Sequence, residues 1–463
     1  MTTQADVPVP VSRFDPTAYP RLVRTSFHAD LASTGEVAFG YALAGPGGTV
    51  EFTERLVLPL PETSVPARVA AATAVLHLAH AVAGVSYAKA SAATTIDLGD
   101  LPVTGAELVL LRGVYRDGLH EFAYTNDLPA VLDANVVGET EPDPGHEFVT
   151  WDPRRPLVPC GGGKDSIVSL EALRRSGHSP VSFVVNPNEI TRSVVQRSKT
   201  PLLAVTRRID PLLLELNESG AHNGHIPVTA INSLLAIAVS VLHGLGPVVM
   251  SNESSASAPN LTWHGRPVNH QWSKGIDAER LIRAAVASRL GRGDRYFSLL
   301  RHLNELSIGA LFAGIPTSSG YDDVVTSCNR AFTITRSAGV RWCRDCPKCR
   351  FVFLALATSQ PAARVTRIFG GDMLRDEAQL DGYRELLGLK DFKPFECVGE
   401  LHESVSAAAS LADRPDWQDA QVVVALNAQI AATGTPVRPL ADVLAEHGPT
   451  LAPQAYLDAL RAL

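Results

Sequence analysis

The sequence predicts an α/β protein built on a buried parallel sheet with helices on both faces. Residues 181–185 and 248–250 are short, continuously apolar runs, which are typical of strands buried on both sides. Residues 230–242 repeat apolar side chains at helical spacing and precede the second run. A second helical pattern follows residue 163 and ends at Gly177. Strands that alternate with helices in this way favour a parallel sheet with crossover helices.

The first 150 residues predict an N-terminal α+β domain. Residues 37–43 and 50–58 have the composition of strands, and a glycine-rich turn lies between them. Apolar residues then recur at helical spacing, which predicts a helix from an N-cap at Ser64 to a stop at Gly84.

Two further regions complete the predicted organisation. Proline and acidic residues cluster at 139–146, which indicates a domain boundary. Residues 151–360 carry the alternating pattern, with further strands at 157–158 and 202–205. Residues 361–463 are mostly helical in pattern and form the least informative part of the sequence.

Composition excludes several classes of protein. The chain has 463 residues, 45% hydrophobic content and a net charge of −7. That hydrophobicity is too high for a disordered chain, and the net acidity argues against a nucleic-acid partner. We see neither an apolar run of roughly 18 residues, the length that spans a bilayer, nor a secretory signal. Six cysteines in such a chain predict a cytoplasmic protein whose thiols are ligands or free groups.

A glycine-rich segment between a predicted strand and a predicted helix carries the clearest chemistry. It consists of Cys160, Gly161, Gly162, Gly163, Lys164, Asp165 and Ser166. Glycines allow backbone N–H groups to approach an anion, and a helix N-terminus adds partial positive charge. Lys164 adds a full positive charge, Asp165 can hold Mg²⁺, and Ser166 can cap the helix or donate to an oxyanion. The segment therefore predicts a phosphate site.

Two familiar glycine motifs do not fit this segment. A Walker loop requires Ser or Thr after the lysine, and a dinucleotide loop requires glycine at the position of Ser166. The segment instead resembles the PP-loop of ATP pyrophosphatases, written Ser-Gly-Gly-x-Asp-Ser, with Gly161 in place of the first serine. The resemblance implies a PP-loop (HUP-type) sheet. It also implies an enzyme that cleaves ATP between the α and β phosphates and adenylates a substrate.

Four cysteines form a second pattern. Cys343, Cys346 and Cys349 follow C-x2-C-x2-C spacing, and fourteen residues separate Cys328 from the first of them. Four thiolates this close together predict a closed, structural zinc site, although an iron–sulfur cluster and unmetallated thiols remain alternatives. Lys348, inside the cluster, is expected to be a surface charge. The deazaguanine nitrile synthase, another PP-loop enzyme, has a comparable four-cysteine zinc site.

Further segments narrow the resemblance. They are Ser86–Lys89, Gly118–Tyr124, Asn223–Thr229, Ser251–Glu253 and the sequence Lys-Pro-Phe-Glu-Cys at 393–397. Together with the loop and the cysteines, they resemble the UDP-N-acetyl-α-D-muramoyl-L-alanyl-L-glutamate epimerase (MurL) family over about residues 39–397. This implies an isomerase of peptidoglycan synthesis. It would invert the terminal L-Glu of UDP-MurNAc-L-Ala-L-Glu while ATP becomes AMP and pyrophosphate.

The resemblance and the residue chemistry together assign provisional roles. The loop amides and Lys164 would hold phosphates, Asp165 would hold Mg²⁺, and Asn252 and Glu253 would line the nucleotide or substrate pocket. Inversion at carbon commonly requires two protonating groups on opposite faces. The candidates for these groups are Cys397, His225, His270 and Lys274, each of which also has an ordinary structural interpretation. We take Lys164, Asp165 and Cys397 as the catalytic set.

Other functions compete with this interpretation. Another PP-loop enzyme that adenylates a carboxylate, an amidase or nitrile synthase, would carry the same loop and zinc site. The long N-terminal domain argues against a small planar substrate, and the acidic balance argues against a tRNA thiolase. A non-enzymatic nucleotide-binding zinc protein is favoured only by the departure at Gly161.

The few lysines of the chain are concentrated in the motif segments. Only seven of the 41 basic residues are lysines. Five of them lie in the segments described above: Lys89, Lys164, Lys274, Lys348 and Lys393. Since lysine is a compact point charge and arginine a broad fork, we expect at least Lys164 to require lysine specifically.

Overall fold

A ten-stranded mixed sheet forms the centre of the protein. The computed structural model describes residues 13–100, 102–144, 150–332, 341–390 and 394–463. Strands β1 to β14 are, in order, Arg21–Asp30, Glu36–Gly45, Gly48–Val57, Thr95–Asp97, Val103–Thr104, Asn135–Val137, Thr140–Glu141, Leu157–Pro159, Val181–Val185, Leu202–Arg208, Val248–Met250, Leu261–Trp263, Arg266–Val268 and Tyr296–Ser298. The sheet order is β14-β11-β8-β9-β10-β3-β2-β1-β4-β6.

Seventeen α-helices are found in the described part of the chain. Helices α1 to α17 are, in order, Pro66–Ala83, Val85–Ser91, Gly105–Tyr115, His120–Asn126, Lys164–Arg175, Glu189–Ser198, Pro211–Ser219, Val228–His243, Ile276–Leu290, Glu305–Gly314, Pro347–Ala357, Ala362–Phe369, Leu380–Leu386, Leu401–Ser410, Gln421–Thr433, Leu440–Leu444 and Gln454–Leu457. The last six confirm the mostly helical pattern predicted for residues 361–463.

Five strands form the parallel part of the sheet, in the order β10-β9-β8-β11-β14. Chain order reverses direction at β8, because β9 lies on one side of it and β11 on the other. Open α/β sheets bind ligands at this kind of switch point, beyond the carboxyl ends of the strands. The crevice between β8 and β11 is thus the expected site.

The two faces of the sheet belong to two separate hydrophobic cores. In β8, Leu157 joins the core that contains α1, α8 and α9, whereas Val158 joins the core that contains α5, α6 and α11. In β11, Val248 and Val249 divide in the same way. Because successive side chains of a strand point to opposite faces, this alternation confirms helices on both faces.

The N-terminal strands continue the same sheet. β3 pairs antiparallel with β10, and β2 and β1 follow it outward. Helix α1 packs on α8, so the N-terminal segment shares a core with the parallel sheet. The division at residues 150 and 360 remains a prediction. Residues 145–149, within the predicted boundary, lie outside the described residues.

Two details of the predicted N-terminal helix are wrong. Helix α1 has Val65 at its N-cap, without a side-chain cap, so Ser64 does not cap it. Gly84 does not stop the helical segment either, because it keeps a right-handed helical backbone and α2 begins at the next residue. Strand β1 was not predicted, since its alternating polar side chains form no continuous apolar run.

One helical stretch of the described chain, residues 66–91, is long and apolar enough to cross a membrane by length and composition alone. Two-thirds of its apolar window is buried against the rest of the fold, as in the core helix of a folded domain.

Candidate active site

The glycine loop connects the end of β8 to the start of α5, at the switch point of the sheet. Gly163 is the N-cap of α5 and supplies no side-chain cap, so the first-turn N–H groups are open to an anion. Gly162 has a φ of +88°, and a Cβ at this position would lie 2.9 Å from Ile190 Cγ2. A Cβ at Gly161 would meet nothing within 4 Å, so the departure from the PP-loop pattern leaves room for serine.

A cavity of about 430 Å³ opens above this loop. Its walls come from the carboxyl ends of β8, β9 and β11, from residues 326–332, and from single side chains of distant segments. The residues that line it include Gly161, Gly163, Asp165, Ser166, Asn252, Glu253, Lys274, Lys348 and Cys397. The structure thus brings the loop, the β11 end and the predicted thiol to one space.

Lys164 lies beneath the loop and is buried. Its ammonium group forms ion pairs with Asp165 and with Glu305, the first residue of α10. Lys348 donates to the other oxygen of Glu305 at 3.1 Å and is buried too, so its prediction as a surface charge is wrong. Burial alone would raise the pKa of Glu305, but the two ammonium groups lower it to about 2. The carboxylate therefore stays charged and fixes both lysines.

Two polar residues lie just beyond the end of β11, after Ser251. Asn252 and Glu253 are buried, and their backbone oxygens accept hydrogen bonds from Ser298 and Arg301. Burial and the nearby Glu305 raise the pKa of Glu253. Asp165 and Glu253 both line the cavity. Their two carboxyl groups are of the kind that Mg²⁺ prefers as ligands.

Cys397 reaches the same cavity from the C-terminal region. Lys274 Nζ donates to its sulfur at 3.1 Å, and the His270 side chain acts electrostatically on the same thiol. Burial raises the pKa of Cys397, but Lys274 and His270 outweigh it and lower the pKa to about 7. The thiol is thus not an apolar core group, and Lys274 and His270 contact it rather than bulk solvent. Lys393, in the same predicted segment, lies outside the described residues.

A carboxylate and two imidazoles continue this cluster into the N-terminal region. Glu121 Oε2, at the start of α4, lies 2.5 Å from His270 Nδ1 and 3.8 Å from His225 Nδ1. Burial lowers the pKa of His270, but its interactions with Cys397 and Glu121 raise it to about 9. Burial and the neighbouring His270 lower the pKa of His225 to about 4. The two histidines therefore carry different charges at neutral pH.

The four cysteines of the sequence pattern lie together in the structure. The sulfur atoms of Cys328, Cys343, Cys346 and Cys349 lie within 4.8 Å of one another, and none of these cysteines forms a disulfide. The sulfur of Cys349 is 3.7 Å from that of Cys343 and 3.5 Å from that of Cys346. This donor set could hold a metal ion.

Sequence reasoning missed two residues of the site. Glu305 carries no motif, and its role depends on the approach of α10 to α5. Glu121 lies within the segment Gly118–Tyr124, but nothing in that segment indicates that it meets His270, 149 positions away.

Comparison with known families and proteins supplies the decisive observation. Residues 13–299 match the MurL N-terminal domain model, and residues 324–439 match the MurL C-terminal domain model. The chain belongs to the MurL family. The glycine loop falls in the first matched region, and Cys397 with the four-cysteine cluster falls in the second, so the cavity is built from both MurL domains.

Curated MurL relatives extend over nearly the whole chain. An enzyme of Salinispora tropica is 54% identical over 443 residues, which cover 95% of each chain. One of Micromonospora sp. is 54% identical and covers 94% of this chain and 96% of its own. One of Xanthomonas oryzae pv. oryzae is 39% identical and covers 90% and 92%. All three are named UDP-N-acetyl-alpha-D-muramoyl-L-alanyl-L-glutamate epimerase.

No solved structure matches the chain. As a MurL member it is an epimerase, and hence an isomerase, so a purely nucleotide-binding zinc protein is excluded.

Proposed function

We propose that this chain converts the terminal L-Glu of UDP-MurNAc-L-Ala-L-Glu to D-Glu in peptidoglycan precursor synthesis, through an acyl-adenylate formed from ATP. AMP and pyrophosphate are the by-products. One observation carries the proposal: the uncapped glycine loop and the Cys397 cluster open into the same cavity. The names of the three relatives supply the substrate.

The chemistry explains why one cavity would contain both parts. The α-hydrogen beside a free carboxylate is barely acidic, because its removal places a carbanion next to an anion. Adenylation neutralises that carboxylate, so the α-hydrogen can be removed and an enolate can form. Protonation from the other face inverts the centre, and hydrolysis of the acyl-adenylate releases AMP. Activation must therefore occur within reach of the proton-transfer groups.

The residues divide between these two tasks. The amides of Gly161–Gly163 and of the first turn of α5 would hold the phosphates, with Ser166 and Asn252 beside them. Asp165 would hold Mg²⁺, which supplies charge neutralisation at the phosphates. Lys164 is predicted from the sequence to hold the phosphates. Since it pairs with Asp165 and Glu305 and does not line the cavity, we assign it instead to the charge balance under the loop. Cys397 would accept the α-proton. The strand order of the parallel sheet and the loop position support membership of the PP-loop superfamily.

We also propose that the four cysteines hold one structural zinc ion. A tetrahedral ion with Zn–S bonds of about 2.3 Å places its sulfurs about 3.8 Å apart. The observed separations of 3.5 and 3.7 Å fit this geometry, whereas a multi-iron cluster requires more widely spaced thiolates. The free thiols also suit a reducing compartment such as the cytosol.

The remaining alternative is an amidase or nitrile synthase that uses the same loop. It would need an ammonia donor but no proton acceptor at carbon, so the Lys274–Cys397–His270 contacts favour epimerisation.

The direct test incubates the protein with ATP, Mg²⁺ and UDP-MurNAc-L-Ala-L-Glu. We expect D-Glu, detected by chiral chromatography after hydrolysis, together with stoichiometric pyrophosphate. An ATP analogue with a methylene bridge between the α and β phosphates is the matched control and should give neither product. Pyrophosphate without D-Glu would contradict the epimerase proposal, and D-Glu formed with the analogue would contradict adenylation.

A further inference from the structure

We propose that Glu121 and His270 form a positioning chain that keeps Cys397 as a thiolate, and that this thiolate takes the α-proton of the adenylated glutamate. The use of the thiolate rests on the proposed function. The chain itself does not, because it is a property of the protein without substrate. Glu121 is a positioning residue, since it touches His270 and acts on the thiol only through the imidazole.

The hydrogen bonds define the direction of the chain. His270 Nδ1 faces Glu121 Oε2 at 2.5 Å, and the same imidazole interacts electrostatically with the thiol of Cys397. A carboxylate on one side and a thiolate on the other favour the doubly protonated ring. Lys274 Nζ contacts the same sulfur at 3.1 Å. Two cationic groups therefore converge on one sulfur, and the carboxylate that orients the imidazole lies behind it.

The surrounding charges support the same protonation states. Among the described residues, the charged or titratable groups that act on Cys397 include Lys274, His270 and Lys348. Those that act on His270 include Glu121 and Cys397, while His225 and Glu396 lie near enough to respond to it. Together these charged groups lower the pKa of Cys397 to about 7 and raise the pKa of His270 to about 9. Between these values the thiolate and the imidazolium coexist.

A metal ion at Glu121, His225 and His270 is the competing interpretation, because these three ligand atoms lie within 4.8 Å of one another. Two ligands on one tetrahedral zinc ion, with bonds of about 2.0 Å, are separated by about 3.3 Å. The 2.5 Å between His270 Nδ1 and Glu121 Oε2 is too short for that arrangement and is the distance of a hydrogen bond. The geometry therefore favours the positioning chain.

The proton transfer needs no reactant other than the adenylated glutamate, Cys397 and solvent. The α C–H bond breaks, an S–H bond forms on Cys397, and the electron pair moves onto the acyl oxygen as an enolate. The enolate carbon then receives a proton of solvent origin on its opposite face. Cys397 returns its proton to solvent before the next turnover, while His270 stays protonated throughout. Each inversion thus exchanges one α-hydrogen with solvent.

The test measures the alkylation rate of Cys397 by iodoacetamide in the full-length protein without substrate, from pH 5.5 to 9.5. Peptide mass spectrometry separates Cys397 from the other five cysteines. We expect a midpoint near pH 7 in the native protein. In Glu121→Gln it should move up by about one unit, so that the rate at pH 6 falls about tenfold. Glu121→Asp should recover part of the shift.

A matched control is Glu215→Gln, which changes an exposed glutamate of α7 and should leave the profile unchanged. A native midpoint at the ordinary thiol value, about 8.5, would overturn the proposal whether or not the variants fold. An unchanged midpoint in folded Glu121→Gln would overturn it as well. Loss of one bound metal equivalent in that variant would assign Glu121 to a metal site instead.

Substrate measurements separate this inference from the proposed function. In folded Glu121→Gln, epimerisation at pH 6.5 should fall by about eightfold, as the thiolate fraction does, while pyrophosphate release continues. A reactive thiolate with the expected profile but no ATP-dependent epimerisation would contradict the proposed function and leave the positioning chain intact. Epimerisation that proceeds normally in Cys397→Ala would overturn the thiolate as proton acceptor.

Discussion

The two sides of the cavity are built in different ways. The phosphate side is one continuous segment, Gly161–Ser166, whose geometry follows from a strand end and a helix start. The thiol side joins Glu121, His270, Lys274 and Cys397, which come from widely separated parts of the chain. Local sequence therefore specifies the first, and only the folded chain specifies the second.

This difference predicts different responses to mutation. Changes on the phosphate side should impair ATP use and, through it, everything downstream. Changes on the thiol side should spare ATP use and impair inversion alone. Variants on the two sides should therefore separate the loss of ATP use from the loss of inversion.

Cys397→Ala should separate epimerisation from pyrophosphate release most clearly. Removal of a proton acceptor costs 10²–10⁴-fold in general, so we expect epimerisation to fall about 1000-fold. Pyrophosphate release should stay within about threefold of the native rate, because the loop is untouched. Parallel assays of D-Glu and pyrophosphate measure the two rates. An equal loss of both would mean that the two sides are not separable.

Asp165→Asn should impair both products together. Loss of an electrostatic clamp on the phosphates costs about 100-fold. The matched control is Asp323→Asn, since Asp323 is exposed and pairs with Arg197 at the surface. Native pyrophosphate release in Asp165→Asn, at every Mg²⁺ concentration, would remove this residue from the metal site.

The pH dependence of epimerisation tests the charge state of Cys397. Lower pH protonates the thiolate and removes the proton acceptor, so kcat/KM should fall on the acid side with a midpoint near 7. Below that midpoint the decrease should approach tenfold per pH unit. A rate that stays flat down to pH 5.5 would contradict a thiol with this pKa.

Cys343→Ser should act on stability rather than on chemistry. We expect loss of about one zinc equivalent, measured by elemental analysis, and a decrease in Tm of at least about 5 °C. The activity that remains at low temperature should keep the native ratio of D-Glu to pyrophosphate. Native protein that contains iron and sulfide instead of zinc would overturn the zinc assignment.

The smallest effect is expected at Gly161. Gly161→Ser places its Cβ in open space and restores the PP-loop pattern, so activity should change less than about twofold. Gly162→Ala is the contrasting variant, because its positive φ and the close Ile190 should cost about 1–2 kcal/mol of stability. The comparison of the two melting temperatures checks this, and equal destabilisation would contradict the loop geometry.

The sequence predicted those parts of the molecule whose signals are local. Strand β9 was predicted with its observed bounds, because a strand buried on both faces is a continuous apolar run. Strand β1 was not predicted, because four of its ten side chains are exposed and polar and interrupt the apolar residues. Glu305 could not be predicted, since its role arises from the burial of two lysines from different helices. Lys348 was misassigned for the same reason: α10 covers it, and the cysteine spacing does not reveal that.

The most direct test of the account follows deuterium uptake and ATP use in a single reaction. Native protein is incubated in D₂O with ATP, Mg²⁺ and UDP-MurNAc-L-Ala-L-Glu, and the glutamate and pyrophosphate are analysed together. We predict one deuterium at the α-carbon of each D-Glu formed and at least one pyrophosphate for each inversion. D-Glu that retains its original α-hydrogen, or that forms without pyrophosphate, would contradict the account.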